Sequence, residues 1–300
     1  MAGSSGAARA RGFNLRSGAR MPAVGLGTYL LGDSPDPSAR DADLRGLHAA
    51  LEAGYRHIDT ATVYGNEAFL GAALAEAGIP RADLFLTSKL RNDEHRDVRY
   101  REALEASLEA LRTDYLDLYL IHWPLPSLGR FTEAFDTLLE AREEGLVHDV
   151  GVANFLPAHL DRLVSECGEA PAVDQIEFHP SWSNPETFAR CRELGVQVVA
   201  YSPLARGADF GAPAVQEAAA AHGATAAQVV LTWALQQGVA VIPKSANPDR
   251  LGSNLAVGSE PPPFELSPAE MEAISALDGT GQMGHDPATY ERMRTPPAGG

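Results

Sequence analysis

The chain predicts an α/β fold, a (β/α)8 barrel of the TIM type, on three observations. Eight short apolar runs recur along nearly its whole length. Their apolar residues are consecutive rather than alternating, as in parallel strands covered on both faces. Amphipathic stretches with readable helix ends lie between them. Eight β-then-α units in 300 residues fit one closed barrel, with no linker and no second domain.

In order, the runs are Val24–Gly27, His57–Asp59, Leu84–Ser88, Leu116–Ile121, Val150–Val152, Val173–Glu177, Val196–Tyr201 and Val239–Pro243. The helix from Asp41 to Ala53 stops at Gly54, and Asn184-Pro185 opens another with a cap and an N1 proline. Thr225–Gln228 and Ser267–Glu270 have capping-box spacing, and Gly238 closes the first of these helices. Ahead of the first strand, Phe13–Leu15 and Arg20–Pro22 flank Ser17-Gly18 as a hairpin. A helix from Ser267 to Leu277 and a tail follow the eighth unit. Residues 1–12 predict a disordered tail, 13–290 the barrel domain and 291–300 a flexible end.

Composition narrows the partners. A formal charge of −16 disfavours nucleic acid and anionic lipid, and no apolar stretch is long enough to span a membrane. Cys167 and Cys191 offer no disulfide framework, and no secretory signal opens the chain, so the expected setting is the cytoplasm.

Lysine is nearly absent. Only Lys89 and Lys244 occur, against 22 arginines, and each ends an apolar run where a strand hands over to a loop. An ammonium is a compact point charge whose pKa responds to its surroundings, which a guanidinium is not. Barrel chemistry sits at the C-terminal ends of strands. Those ends carry Asp59, with Tyr64 close behind, then Lys89, His122, Asn154, Gln175, Tyr201-Ser202 and Lys244-Ser245. A carboxylate, a phenol, an ammonium and an imidazole in phase with the repeat point to a proton-transfer site.

Three segments carry a resemblance: Gly54-Tyr-Arg-His-Ile-Asp59-Thr-Ala-Thr-Val-Tyr64, Leu120-Ile-His122-Trp-Pro124 and Val241-Ile-Pro-Lys244-Ser245. The chain resembles the aldo-keto reductases from about Phe13 to about Tyr290, with loops nearest the bacterial branch that includes 2,5-diketogluconate reductases. That resemblance implies NADPH-dependent reduction of aldehydes and ketones by a monomer. It implies Tyr64 as general acid, Lys89 and Asp59 tuning it, and His122 orienting the carbonyl. A phenol of pKa about 10 is a reluctant donor. An ammonium about 4 Å away would stabilise the phenolate by about 4 kcal/mol, or about three pKa units before any offset from Asp59.

Gly25-Leu-Gly27 imitates a dinucleotide fingerprint, but Leu30 stands at the third glycine and no βαβ helix follows. A better phosphate site is Lys244, Ser245 and Arg250, two cations and a hydroxyl at a helix start after Asn247-Pro248. The resemblance places these three on the 2′-phosphate of NADP and Asn254 near the adenine. It also places Tyr201 on the nicotinamide, Asn154 and Gln175 on its carboxamide, and Ser202 and Leu204 along the pyrophosphate.

Tyr29, Trp123 and Trp182 are expected to line an apolar pocket whose mouth the short loop 125–129 leaves open. Three positions depart from the family pattern: Ala153 for serine, Asp174 for asparagine and Arg91 for tryptophan. Arg91 would set a guanidinium on the pocket wall, favouring keto acids or oxidised sugars, or else swing into solvent. His57, His148 and His179 read as structural. Three rival readings remain: a nicotinamide-nucleotide-sensing or binding subunit with poor turnover, a metal-dependent barrel hydrolase using His57, Asp59, Lys89, His122 and His179, and a Schiff-base lysine. The reductase reading needs no metal.

Overall fold

The computed structural model describes residues 9–245, 247–279 and 281–292. Eight strands form one parallel sheet in sequential order. They are β1 Leu26–Gly27, β2 His57–Asp59, β3 Phe85–Leu90 and β4 Leu116–Ile121. After them come β5 Val147–Ala153, β6 Val173–Glu177, β7 Gln197–Tyr201 and β8 Ala240–Val241. A parallel bridge from Val24 to Val241 closes the ring, with Gly25 N donating to Val241 O at 2.8 Å. Every predicted run supplies a strand.

Closure explains the two early glycines. A Cβ on Gly25 would lie 2.7 Å from His57 Nδ1, and one on Gly27 would lie 2.8 Å from Ile242 O. Both are needed where β1 presses on its neighbours, so the Gly-x-Gly serves the ring.

Two apolar layers hold the barrel. Leu15, Met21, Phe85, Leu118, Leu120, Val173, Val199 and Ile242 fill the lumen toward its floor. A larger cluster, including Leu47, Leu104, Phe135, Leu163 and Trp233, lies between strands and helices. Each such side chain contributes roughly 1.5–3 kcal/mol by burial. The hairpin is as expected: Gly12–Asn14 pairs antiparallel with Arg20–Pro22 and plugs the floor through Met21.

The helix ends need some correction. The first begins at Pro37, because Asp36 accepts from Ser38 N and caps it, and it stops at Gly54 as predicted. Thr225 and Ser267 form their capping boxes, the second helix ending at Ser275. Asn184 does not cap its helix; its side chain donates to Glu177 O at 2.6 Å.

Order also reaches into the predicted tails. Arg9–Ala10 pairs antiparallel with Ser259–Glu260 and Gly12 opens the hairpin, so residues 9–12 belong to the fold rather than to a disordered tail. At the other end, Glu291 Oε1 accepts from Ser127 N at 2.9 Å and Arg292 O from Asn92 Nδ2 at 3.0 Å. Residues 1–8 and 293–300 lie outside the described residues. Among the described residues no helix is long and apolar enough to cross a membrane.

Candidate active site

The strand ends converge on a buried ion pair. Lys89 Nζ, on β3, donates to Asp59 Oδ1 of β2 at 2.5 Å and to Thr60 O at 2.8 Å. From across the lumen, Gln175 of β6 donates to Asp59 Oδ2 at 2.7 Å. Lys89 and Asp59 are buried to 0% and 2% exposure, so neither charge would be tolerated alone. Both carboxylate oxygens are satisfied.

Tyr64 ends a single helical turn, Thr62–Tyr64, between β2 and the helix that follows. Its ring centroid lies 5.4 Å from Lys89 Nζ, 6.1 Å from the His122 ring and 5.1 Å from that of Tyr29. The four predicted catalytic groups therefore meet.

Their electrostatics differ from the sequence expectation. Burial, and then the negative charge of Asp59, push the Tyr64 phenol above its ordinary value, not below it. The expected acidification assumed an uncompensated ammonium about 4 Å away. Here Lys89 is bonded to Asp59, and burial lowers its own pKa while Asp59 works to raise it. His122 is pushed down to about 3 by burial and by Lys89, so its imidazole is neutral at physiological pH. A neutral imidazole can donate one hydrogen bond without carrying charge.

A second chain of contacts leads from the tetrad toward the expected nicotinamide groups. Asn154, held at φ 63, donates to His122 O at 3.0 Å, and Tyr201 O–H donates to Asn154 Oδ1 at 2.9 Å. Asn154, Gln175 and Tyr201 are thus brought beside the tetrad. Ser202 and Leu204 continue past β7 without contacting it, Ser202 in a left-handed conformation at φ 48.

The expected phosphate residues form a separate group after β8. Lys244 and Arg250 are exposed, Ser245 Oγ accepts from Asn247 N at 3.2 Å, and Asn254 is buried. Among the described residues neither cation makes an ion pair. Two uncompensated cations at the start of the helix Pro248–Ala256, in so acidic a chain, suit a phosphate.

On the pocket side, Tyr29 stands 54% exposed at the mouth beside Tyr64. Trp123 packs on Tyr290 at 4.2 Å between ring centroids, and Trp182 pairs with His179 through its backbone. The segment 281–292 also reaches this side, with His285 and Tyr290 on Trp123 and Glu291 Oε1 accepting from Ser127 N in the short loop. The Arg91 guanidinium lies 3.1 Å from Asp93 and 3.0 Å from Glu94, an ion-paired cation.

The other departures are now placed. Ala153 joins the apolar lumen and has no hydroxyl to offer. Asp174 is fully buried, accepting from Phe155 N at 3.4 Å and from Cys191 Sγ at 3.8 Å. Burial drives its carboxyl well above the usual range, which favours the neutral acid at a position where an amide is usual. A raised carboxyl pKa makes stability fall as pH climbs from about 4. Asp174→Asn should therefore gain about 1–3 kcal/mol at neutral pH, the worth of relieving a poorly satisfied buried polar group. The gain should vanish near pH 4; equal gains in thermal melts at acid and neutral pH would refute the assignment.

Sequence reasoning missed three carboxylates. Glu67 is buried against Ser88, next to Lys89, with Ser88 Oγ at 2.6 Å. Glu177 and Asp209 both reach His179, which the sequence reads as structural. The metal-ligand set is not assembled, since His57 bonds Pro22 O and Thr87 while His179 faces these carboxylates.

Comparison with known proteins agrees with this geometry. A profile of the Aldo/keto reductase family matches residues 23–278. An aldo-keto reductase of Mycolicibacterium smegmatis is 42% identical over 93% of this chain and 97% of its own. The methylglyoxal reductase DkgA of Salmonella typhimurium is 40% identical over 93% and 97%. Among solved structures, a Gox0644 mutant in complex with NADPH superimposes with a TM-score of 0.84 at 36% identity, covering 94% of this chain and 99% of that one.

Proposed function

The chain belongs to the aldo/keto reductase family, and on that premise we propose that it is an NADPH-dependent reductase of aldehydes and ketones, keto sugars, keto acids and dicarbonyls included. The observation that carries the reading is the buried Lys89–Asp59 pair beneath the Tyr64 ring, beside a neutral His122, at the strand ends of a closed barrel. Relatives named for methylglyoxal reduction and for an NADPH complex support the substrate class and the cofactor.

The residues fit the nucleotide. Lys244, Ser245 and Arg250 would hold its 2′-phosphate, and Asn254 its adenine end. Ser202 and Leu204 would border the pyrophosphate. Tyr201 would stack on the nicotinamide, with Asn154 and Gln175 on the carboxamide. Asn154 and Gln175 now bond within the protein, and both would exchange those partners for the ligand. When bound, the cofactor supplies the hydride.

The chain's own groups manage the oxygen. His122 donates a hydrogen bond that orients the carbonyl, and its neutrality keeps it from competing as the acid. Tyr64, protonated because its pKa is raised, gives its proton to the oxygen as negative charge develops there. Lys89, held by Asp59, then faces the phenolate at the moment it forms, so its favourable interaction is made late in the reaction. Tyr29, Trp123 and Trp182 exclude water around the reacting carbonyl. The same reading has one barrel domain acting as a monomer in the cytoplasm on small molecules.

The direct test is loss of NADPH absorbance with methylglyoxal and with a simple aldehyde; no turnover with either sinks the proposal. Cofactor choice has its own test. Lys244→Met should weaken NADPH binding by about 1.5–3 kcal/mol, the range for a charged hydrogen bond, and leave NADH nearly unchanged. Equal losses for the two would remove Lys244 from the phosphate site.

A further inference from the structure

Two buried carboxylates meet one buried histidine beside the barrel mouth, outside the catalytic group. His179 Nε2 lies 3.0 Å from Glu177 Oε1, while Nδ1 lies 3.1 Å from Ser181 Oγ and 3.4 Å from Asp209 Oδ2. No side chain of the three titratable residues is more than 5% exposed. Glu177 also reaches the C-terminal segment. Its two oxygens accept Met283 N at 2.7 Å and Gly284 N at 2.8 Å.

The contact is tight. A Cβ on Gly284 would lie 2.7 Å from Glu177 Oε2 and 3.0 Å from the Tyr201 hydroxyl. From there the segment runs on over the mouth. His285 stacks on Tyr290 with centroids 4.5 Å apart, and Tyr290 covers Trp123.

Ser181, His179 and Glu177 have the spacing of a nucleophilic triad, but the charges forbid that chemistry. Both ring nitrogens face carboxylates, and an imidazolium has no lone pair with which to take a serine proton. Burial opposes the charge on His179, yet Asp209 and Glu177 together outweigh it and raise the group to about 9. The charged ring is suited to holding Glu177 in place instead.

We propose that Glu177, His179 and Asp209 are positioning residues of the substrate site, a buried charged unit that holds the 281–284 turn against Tyr201 and so sets where Tyr290 and His285 stand over Trp123. This rests on the reductase reading for its kinetic consequence, not for its structural one. A buried Glu177 carboxylate is tolerable because it has the imidazolium and two amides. Around His179 the facing groups are Glu177 on β6, Ser181 on the loop after it and Asp209 on the turn 205–211. Further along the same loop Asp278 accepts from Ser183 N at 2.7 Å, and the Tyr201 hydroxyl on β7 stands against Gly284.

The sign of the pH effect follows. A histidine whose folded pKa is raised contributes stability that is complete below its unfolded value of about 6.5 and lost as pH passes about 9. Without its proton, two carboxylates face one another with no cation between them, and the turn should loosen.

His179→Gln removes the charge, and Gly284→Ala crowds the turn against Glu177 Oε2 with every charge kept. In both, amide exchange at Met283 and Gly284, corrected for intrinsic rate, should speed up about tenfold or more. The KM for methylglyoxal should rise about tenfold with kcat within about threefold, since the loss is of binding rather than of a transition-state contact. In the unaltered protein KM should climb as pH passes about 9, and His179→Gln should lack that rise. Unchanged exchange in both variants overturns the proposal, and so does faster exchange with an unchanged KM. Should the unaltered protein reduce no carbonyl at all, the reductase reading fails and amide exchange alone decides the anchor.

Discussion

Tyr64→Phe should lower kcat about a hundred- to ten-thousand-fold, the usual worth of a positioned general acid, while NADPH still binds. The ring of Tyr64 packs among Tyr29, His122 and Lys89, and phenylalanine keeps that packing. Only the hydroxyl is removed. The remaining proton donors are water and the neutral His122, neither of which has the phenolate-stabilising ammonium behind it. Single-turnover NADPH oxidation measures the chemical step, and a fluorescence titration checks the cofactor. Turnover near the unaltered rate with an intact fold would remove Tyr64 from the mechanism. The raised phenol adds a second signature. Reduction should hold its kcat up to about pH 10, the ordinary value for a phenol, instead of losing it through an acidified tyrosine.

The second large effect is on stability. Lys89→Met should destabilise the fold by about 3–5 kcal/mol, because it leaves the Asp59 carboxylate buried with Gln175 as its side-chain partner. The penalty belongs to the abandoned charge rather than to the lost attraction. Adding Asp59→Asn to Lys89→Met should therefore recover most of the stability without recovering activity. Denaturant midpoints at constant m-value measure both variants. A double variant no more stable than Lys89→Met would mean that the pair contributes through packing instead.

Much of the barrel was legible because strands covered on both faces tend to be apolar on consecutive positions, as most of the eight runs are, although His57–Asp59 and Val173–Glu177 also carry the polar groups of the site. The tetrad was legible for the same reason, since a polar group at the end of such a run stands out. The ion pairs of Arg91 were not read from the sequence, although Asp93 and Glu94 follow it closely enough to reach back from the first turn of a helix. Strand alternation held the orientation of Asp174: with Gln175 pointing into the lumen, its neighbour points out toward Cys191. The direction of the Tyr64 shift was beyond the sequence, because it depends on burial and on how fully Asp59 compensates Lys89. The anchor around His179 was equally hidden. Asp209 and Met283 come to it from distant stretches of chain, and no local pattern links them.

The two ends of the described chain leave the barrel on opposite faces. Arg9–Ala10 pairs with Ser259–Glu260 on the hairpin side, whereas Arg292 is fastened by Asn92 beside the mouth. An enzyme immobilised through its N-terminal side would present the entrance to the surrounding liquid. Attachment through the C-terminal side would pull directly on the segment that roofs it, so the choice of tether is itself a choice about access.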